Sequence, residues 1–464
     1  MALFRASKTS YSTLSHLYGR CTLASTRLLS SAVPDSFDEA KLQRMKSESQ
    51  LPVNFSDVST ALYRIRSGIY NTECRKSYFL SEICGMDVHL KMDFTQFTGS
   101  FKERGARNAL LSLSVDQRSR GVMAASAGNH ALALAYHGGS LGIPVTCFMP
   151  TVAPITKVEK CRKLGANVVI HGPHIGAAME YAKTNPEYKE LKYINGYDDP
   201  EIVAGAGTMA IEILEQVPDT EVVVIPVGGA GLIAGMSLAF KTLKPEVQVI
   251  GVEPHHCASF TAALEAGHPS APVDHKPTLA DGLAVPVVGG NAFEVARHYV
   301  DRVELVDEKQ IALAVLRLVE NEHCVVEGGG ATGLAGILPG GPLDIPELKG
   351  KKVVVPLCGG NIDTTTLGRV IDRGLAADSR LIRFIATLSD RPGGLALLTE
   401  KLAGVGASIK DIYHERAWLH TSIDMVQVKC VIETTGAKHA ERVHEMLKDE
   451  GYEIIWGENS NHAW

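Results

Sequence analysis

A lysine attacks a carbonyl only as the free amine, which requires burial or a cationic neighbour to strip its proton near neutral pH. Lys102 stands in Thr98-Gly99-Ser100-Phe101-Lys102-Glu103-Arg104-Gly105-Ala106, after a strand-like run and at the start of a predicted helix. Phe101 and Arg104 are the neighbours that could depress its basicity; otherwise it reads as a solvated surface cation. A second segment, Gly228-Gly229-Ala230-Gly231-Leu232, follows the apolar run Val222 to Val227 and opens a predicted helix over 233–241. Its amides and the positive helix end could hold a phosphate, or it could be a tight turn without a ligand. No Gly-Lys-Ser/Thr follows, so it is not a nucleoside-triphosphate loop. In Ser126-Ala127-Gly128-Asn129-His130, before a predicted helix over 131–137, amides and a hydroxyl could receive a carboxylate, or Ser126 could simply cap the helix. His130 reads as a cap-adjacent residue rather than a base. Cys358-Gly359-Gly360-Asn361 forms a third glycine turn, whose thiol either faces a ligand or is an inert buried cysteine.

These segments need a scaffold. Between about 75 and 375, β-branched runs (145–149, 167–171, 221–227, 248–253 and 352–357) alternate with helical patterns such as 203–216. That rhythm predicts parallel α/β layers, with the glycine turns at strand C-terminal ends where ligands collect. From about Leu381 the pattern becomes strand 383–389, helix 394–403, strands 408–415 and 425–434, helix 438–448 and strand 452–456. This is a separate small βαββαβ unit of ferredoxin-like topology, expected to be joined through Arg373 to Arg380.

A chain of 464 residues calls for two or three domains. The net charge of −6 and the lack of a basic, aromatic-studded stretch argue against nucleic acid. No apolar run approaches the roughly 20 residues of a membrane span, so no membrane partner is expected. The nine cysteines are odd in number and never spaced Cys-x-x-Cys, which argues against a disulfide framework or structural zinc. Residues 1–34 hold no Asp or Glu, are Ser/Thr-rich and carry Arg5, Lys8, Arg20 and Arg27. That composition fits a mitochondrial transit peptide, the alternative being a disordered extension of a cytoplasmic protein.

The set TGSFKERGA, SAGNHA, GGAGL, ADG and CGGN, in this order and spacing, resembles the fold-type II pyridoxal-phosphate enzymes, specifically threonine ammonia-lyases, over about residues 50–375. Asp390-Arg391-Pro392-Gly393-Gly394 and Gly406-Ala407-Ser408-Ile409 resemble the C-terminal ACT domain of catabolic-type threonine dehydratases. The resemblance implies two open twisted parallel-type sheets in a catalytic domain over 35–376, with a smaller subdomain over about 94–186, then an ACT-like regulatory domain over 381–464. It implies pyridoxal 5'-phosphate on Lys102, Phe101 beside the ring, and Asn129 on the phenolic oxygen. Gly228, Gly229, Ala230, Gly231 and Leu232 would hold the phosphate. Cys358 would face the pyridine nitrogen, with Asn361 buttressing that turn, and Glu327 and Gly282 would lie near the ring. Ser126, Ala127, Gly128 and Asn129 would line the substrate carboxylate site.

The implied reaction is β-elimination of threonine to 2-oxobutanoate and ammonia, and of serine to pyruvate. A thiol at Cys358 is a weak neutral donor, unlike the carboxylate of transaminase-type sites, which favours elimination. Serine racemase shares the motifs, and 3-hydroxyaspartate dehydratase of the same fold is a further alternative. Racemisation needs an acid on the opposite face, where the resemblance puts a serine at the position of Ala127. The racemase-type metal site would use two acids, but here Glu253 is followed by Ser259, leaving too few oxygen ligands. A catalytically silent amino-acid sensor is the reading of another class, opposed by the intact Lys102 set. The ACT-like unit implies an amino-acid effector, with Gly393-Gly394 as the ligand rim, and assembly as a homodimer or homotetramer.

Overall fold

The computed structural model describes residues 51–270, 275–416 and 422–457. The stretch 1–34 expected to be a transit peptide lies outside them. Strands β1 (Cys74–Lys76), β2 (Asp87–Lys91), β3 (Val122–Ala125), β4 (Val145–Met149), β5 (Asn167–Ile170), β6 (Lys192–Tyr193), β7 (Val222–Pro226), β8 (Gln248–Pro254), β9 (Arg302–Val306) and β10 (Lys352–Pro356) build two sheets. The larger has the order β1-β2-β10-β7-β8-β9, parallel except for the antiparallel edge strand β1. The smaller, β5-β4-β3-β6, is wholly parallel.

Parallel strands joined by helical crossovers are covered on both faces, which explains why every residue of β4 and β7 is buried. The larger core gathers Val222, Val224, Val353, Val355 and Ile250 under helices Glu308–Asn321 and Gly328–Ile337. The smaller gathers Val122, Val145 and Cys147 with Ala106, Ala109 and Leu110 of helix Lys102–Leu111. The smaller sheet runs past residue 186, since its fourth strand is β6. The candidate lysine thus packs with the small sheet, and the Gly228 turn ends a strand of the large one.

After Arg380 come β11 (Leu381–Ser389), β12 (Ser408–Glu415), β13 (Met425–Glu433) and β14 (Glu453–Trp456), an antiparallel sheet of order β12-β13-β11-β14. Alternate residues of β13 are buried, as expected of a sheet covered on one face, and its core includes Leu398 and Leu402 of helix Gly394–Gly404. This matches the expected βαββαβ order. The expected connector at 373–380 is mostly absent: helix Thr364–Ala377 runs through Arg373, leaving only Asp378 to Arg380 irregular. Arg317 pairs with Asp378 at 2.5 Å and Arg380 with Glu320 at 2.5 Å, so charges anchor the junction to helix Glu308–Asn321. No helix among the described residues is long and apolar enough to cross a membrane.

Candidate active site

Lys102 is the first residue of its helix, and its side chain turns inward so that Nζ donates to the Gly196 carbonyl at 2.6 Å. The amine lies 5.0 Å above the Phe101 ring. Burial disfavours the ammonium and pushes its pKa down to about 8, against the opposing pull of Cys358 and Glu327. Arg104 plays no part in this, contrary to the expectation from sequence. Its guanidinium donates to Asp93 Oδ1 and Glu212 Oε2, each at 2.7 Å, and Lys91 Nζ meets Glu212 Oε2 at 2.7 Å. Two cations and two carboxylates, all buried, cancel. Lys102 and Arg104 are two positions apart on one helix, about 200° around its axis, so they face opposite ways.

The loop before Lys102 is zipped to the third glycine turn: Phe101 N donates to Cys358 O at 2.9 Å and Gly360 N to Gly99 O at 2.9 Å. Asn361 Nδ2 donates to Thr98 O at 2.6 Å and to Asn129 Oδ1 at 2.9 Å, and Asn129 Nδ2 donates to Glu327 Oε1 at 2.6 Å. Asn361, Asn129 and Glu327 therefore form one chain beside the amine. Burial, then the nearby Asp281, pushes Glu327 up to about 7. Burial holds the Cys358 thiol well above its ordinary range, so it keeps its proton. A Cβ on Gly359 would lie 2.2 Å from Glu327 Oε1, which only glycine avoids. Gly282 is nearby, its added Cβ falling 3.7 Å from the same oxygen.

The turn Gly228 to Leu232 opens the 13-residue helix Gly231–Leu243, whose first turn carries no acid. Among the described residues no protein acceptor takes the amide N–H of any of these five positions. Ala230 adopts a left-handed conformation, φ +69°, at a cost of about 1 kcal/mol for a residue with a side chain. The glycines have a second duty that their spacing did not reveal. A Cβ at Gly229 would meet the Tyr197 ring at 2.3 Å, and one at Gly231 the Tyr197 carbonyl at 2.3 Å. Tyr197 follows Gly196, so a single loop links the glycine turn to the lysine amine.

Ser126 does not cap its helix: the N-cap of Asn129–Leu141 is Gly128, and Ser126 Oγ instead accepts from Gly128 N at 3.3 Å. The N–H groups of Ala127 and Asn129 find no protein acceptor among the described residues, so this helix start can also receive an anion. His130 is buried, not a surface cap: Nε2 lies 3.1 Å from Ile194 O, and burial with the charge of Lys102 pushes its pKa down to about 3. It packs under Gly196. Glu253 lies elsewhere. Its carboxylate accepts from Phe260 N at 2.7 Å and Thr261 N at 2.8 Å, capping helix Ser259–Ala266, while Ser259 Oγ donates to Val285 O at 2.5 Å. The two do not form a common ligand set. Gly196 and Tyr197 were missed, the available signal being the Asn195-Gly196 turn dipeptide, and His130 was noticed but set aside.

A buried amine near neutrality, an unpaired amide nest at a helix start and a thiol that stays neutral are the donors a phosphorylated pyridine aldehyde requires. Thr98 Oγ1, Ser100 Oγ and His130 Nδ1 are further buried polar atoms without a protein partner around this loop. The chain belongs to the pyridoxal-phosphate dependent enzyme family, whose model matches residues 65–359. It is 40% identical over 402 residues to an L-threonine ammonia-lyase of Thermotoga maritima, covering 87% of this chain and 99% of that protein. Among solved structures it resembles the processed form of threonine deaminase isoform 2 from Solanum lycopersicum, with TM-score 0.65 and 32% identity over 69% of this chain and 93% of that one. Serine racemase from Dictyostelium discoideum superposes with TM-score 0.63 at 32% identity, over 67% of this chain and 99% of that one.

The depressed basicity of Lys102 is directly testable. Imine formation between the apoprotein and pyridoxal phosphate should rise with pH about a midpoint near 8, followed by absorbance. A midpoint above 10 would mean the amine is solvated.

Proposed function

We infer that this protein is a lyase that deaminates L-threonine by β-elimination, giving 2-oxobutanoate and ammonia, and acts likewise on L-serine to give pyruvate and ammonia. The observation that carries this is the near-neutral buried amine of Lys102, linked through Gly196 and Tyr197 to the unpaired amides of Gly228 to Leu232. Pyridoxal phosphate, when bound, supplies the electron sink for breaking bonds at the substrate α-carbon. Lys102 would carry it, the amides of Gly228 to Leu232 would take its phosphate, Phe101 would flank its ring and Asn129 its phenolic oxygen. Cys358 would face the pyridine nitrogen as a protonated thiol, with Glu327, Asn361 and Gly282 close by.

The chain's own work is proton handling and orientation. Lys102 Nζ, near neutral because it is buried, removes the α-proton as general base. The unpaired N–H groups of the 126–129 loop hold the substrate carboxylate at a helix start, which fixes the α-carbon. Asn361 and Glu327 fix Asn129 from both sides, so the loop cannot drift. The α-proton and the β-hydroxyl are lost overall as one water, and one water is taken up again when the enamine hydrolyses to the keto acid and ammonia.

The test is keto-acid and ammonia release over threonine, serine and 3-hydroxyaspartate in both enantiomers. Stoichiometric 2-oxobutanoate from L-threonine is expected; turnover of 3-hydroxyaspartate alone would replace this reading by that dehydratase. Serine racemase is the second reading, favoured by the structural likeness. Ala127, between Ser126 and Gly128 in the substrate loop, has no proton to give to the opposite face of the α-carbon. Residual serine should therefore remain L, while Ala127→Ser should bring D-serine formation up from background, read by chiral chromatography. Abundant D-serine from the unaltered protein would reverse the assignment.

The same proposal includes a mitochondrial address in residues 1–34, homo-oligomeric assembly, and an amino-acid effector at the ACT-like unit. A role in supplying isoleucine synthesis would follow from the 2-oxobutanoate product. N-terminal sequencing of mature protein, sedimentation, and calorimetric titration with amino acids test the first three separately.

A further inference from the structure

The site is assembled from two sides. The small-sheet side contributes the 126–129 loop, at the end of β3, and the large-sheet side contributes the Gly228 turn, at the end of β7. Helix Ile155–Lys163 follows β4 of the small sheet and carries Lys157, whose side chain is only 18% exposed. Its Nζ lies 3.6 Å from Asp281 Oδ2. Asp281 opens the short turn Asp281–Leu283, and Leu283 in turn abuts Gly228, where an added Cβ would meet its Cα at 2.9 Å. The ion pair therefore ties the sheet that bears the substrate loop to the turn that backs the phosphate segment.

The charges around Lys157 are lopsided. The fields of Glu327 and Asp363 are coupled to it as well, each carboxyl being drawn down in part by its charge. Asp281, Glu327 and Asp363 all stand on large-sheet elements, Glu327 as N-cap of helix Gly328–Ile337 and Asp363 as N-cap of Thr364–Ala377. The carboxylates of Asp281 and Asp363 would repel a substrate carboxylate, and Lys157 is a small-sheet cation placed to offset them. Bringing the two sides together places the Lys157 ammonium against Asp281, whose side chain is 67% exposed.

We propose that Lys157 is a positioning residue, forming with Asp281 a latch that holds the small-sheet side over the bound amino acid and so sets substrate retention rather than the chemistry at Lys102. This rests on threonine being the substrate. Neither residue is among those assigned to hold the cofactor or move the proton, so the signature is a split between KM and kcat.

The experiment measures threonine kinetics of the full-length holoprotein as Lys157→Met, Asp281→Asn, their combination, and the exchanged pair Lys157→Asp with Asp281→Lys. Each single change should raise KM about fivefold with kcat held within about twofold, the scale of a partly exposed ion pair whose loss loosens binding. The double variant should be no worse than the poorer single one, because the two share one interaction. Lys157→Arg and the exchanged pair should recover most of the lost affinity. KM of the unaltered protein should rise with salt, and that of Lys157→Met should not. Unchanged KM in the single variants, additive losses in the double, or a salt-independent KM in the unaltered protein would each overturn the latch. The salt test needs no variant, so it stands even if a substitution fails to fold. Absence of keto acid from the unaltered protein would instead overturn the substrate assignment.

Discussion

Replacing Lys102 by alanine should lower threonine turnover by at least about 10⁴-fold, since one group supplies both the covalent attachment and the general base. The fold should survive the change. The Lys102 amine has a single hydrogen bond, to Gly196 O, and burying it carries a desolvation cost that alanine does not bear. Thermal unfolding of Lys102→Ala should therefore match or exceed that of the unaltered protein. Keto-acid release together with calorimetry checks both parts. Turnover within tenfold of the unaltered protein would assign the chemistry to another residue, and a collapse of stability would make the loss uninformative about chemistry.

Arg104→Leu should give the opposite pattern, a large loss of stability with little change in the reactivity of Lys102. Removing the guanidinium leaves Asp93 and Glu212 buried with only Lys91 as counter-ion, and breaking a buried pair from one side costs about 3–5 kcal/mol. Burial alone would raise the Asp93 carboxyl, but the adjacent Arg104 outweighs it and holds the group below its ordinary value. A carboxyl depressed by folding stabilises the protein above its unfolded pKa, and that contribution is lost as pH falls through the folded value. The unaltered protein should thus lose stability in acid below the ordinary carboxylate range, and Arg104→Leu should lack that share of the dependence. Denaturant midpoints across pH measure it. The imine midpoint near 8 should persist in Arg104→Leu, because the network is neutral and faces away from the amine. A shifted midpoint would return Arg104 to the role its sequence neighbourhood suggested.

Much of the scaffold was legible because burial on both faces forces continuous β-branched runs. Val222–Pro226 and Lys352–Pro356 are such runs, and the glycine turns that follow them lie where the alternation of strand and helix put them. The two-residue strand β6 carries no periodic signal, and the junction expected over 373–380 begins later, because the helix Thr364–Ala377 runs through its first half. In fact Gly374 packs against helix Glu308–Asn321, where an added Cβ would meet Ala312 O at 2.8 Å, so its glycine serves close packing and the helix continues to Ala377.

In the site, residues whose roles depend on their own backbone turn were readable, whereas partners brought by tertiary folding were not. Gly196 is 94 positions from Lys102, and nothing in a lone Asn-Gly dipeptide says that its carbonyl will receive an amine. Arg104 was assigned to Lys102 by proximity in sequence, and helical geometry reverses that assignment. The Glu253 carboxylate is consumed by the helix it caps, a use that the residue type alone cannot distinguish from metal binding.

The central claim is that the amine of residue 102 is where the cofactor attaches. Borohydride reduction of the protein with pyridoxal phosphate, followed by peptide mass mapping, tests it most directly. The account predicts one reduced pyridoxyl adduct, on Lys102 within Thr98 to Arg104, and its disappearance in Lys102→Ala; an adduct confined to a different lysine, or none at all, would contradict it.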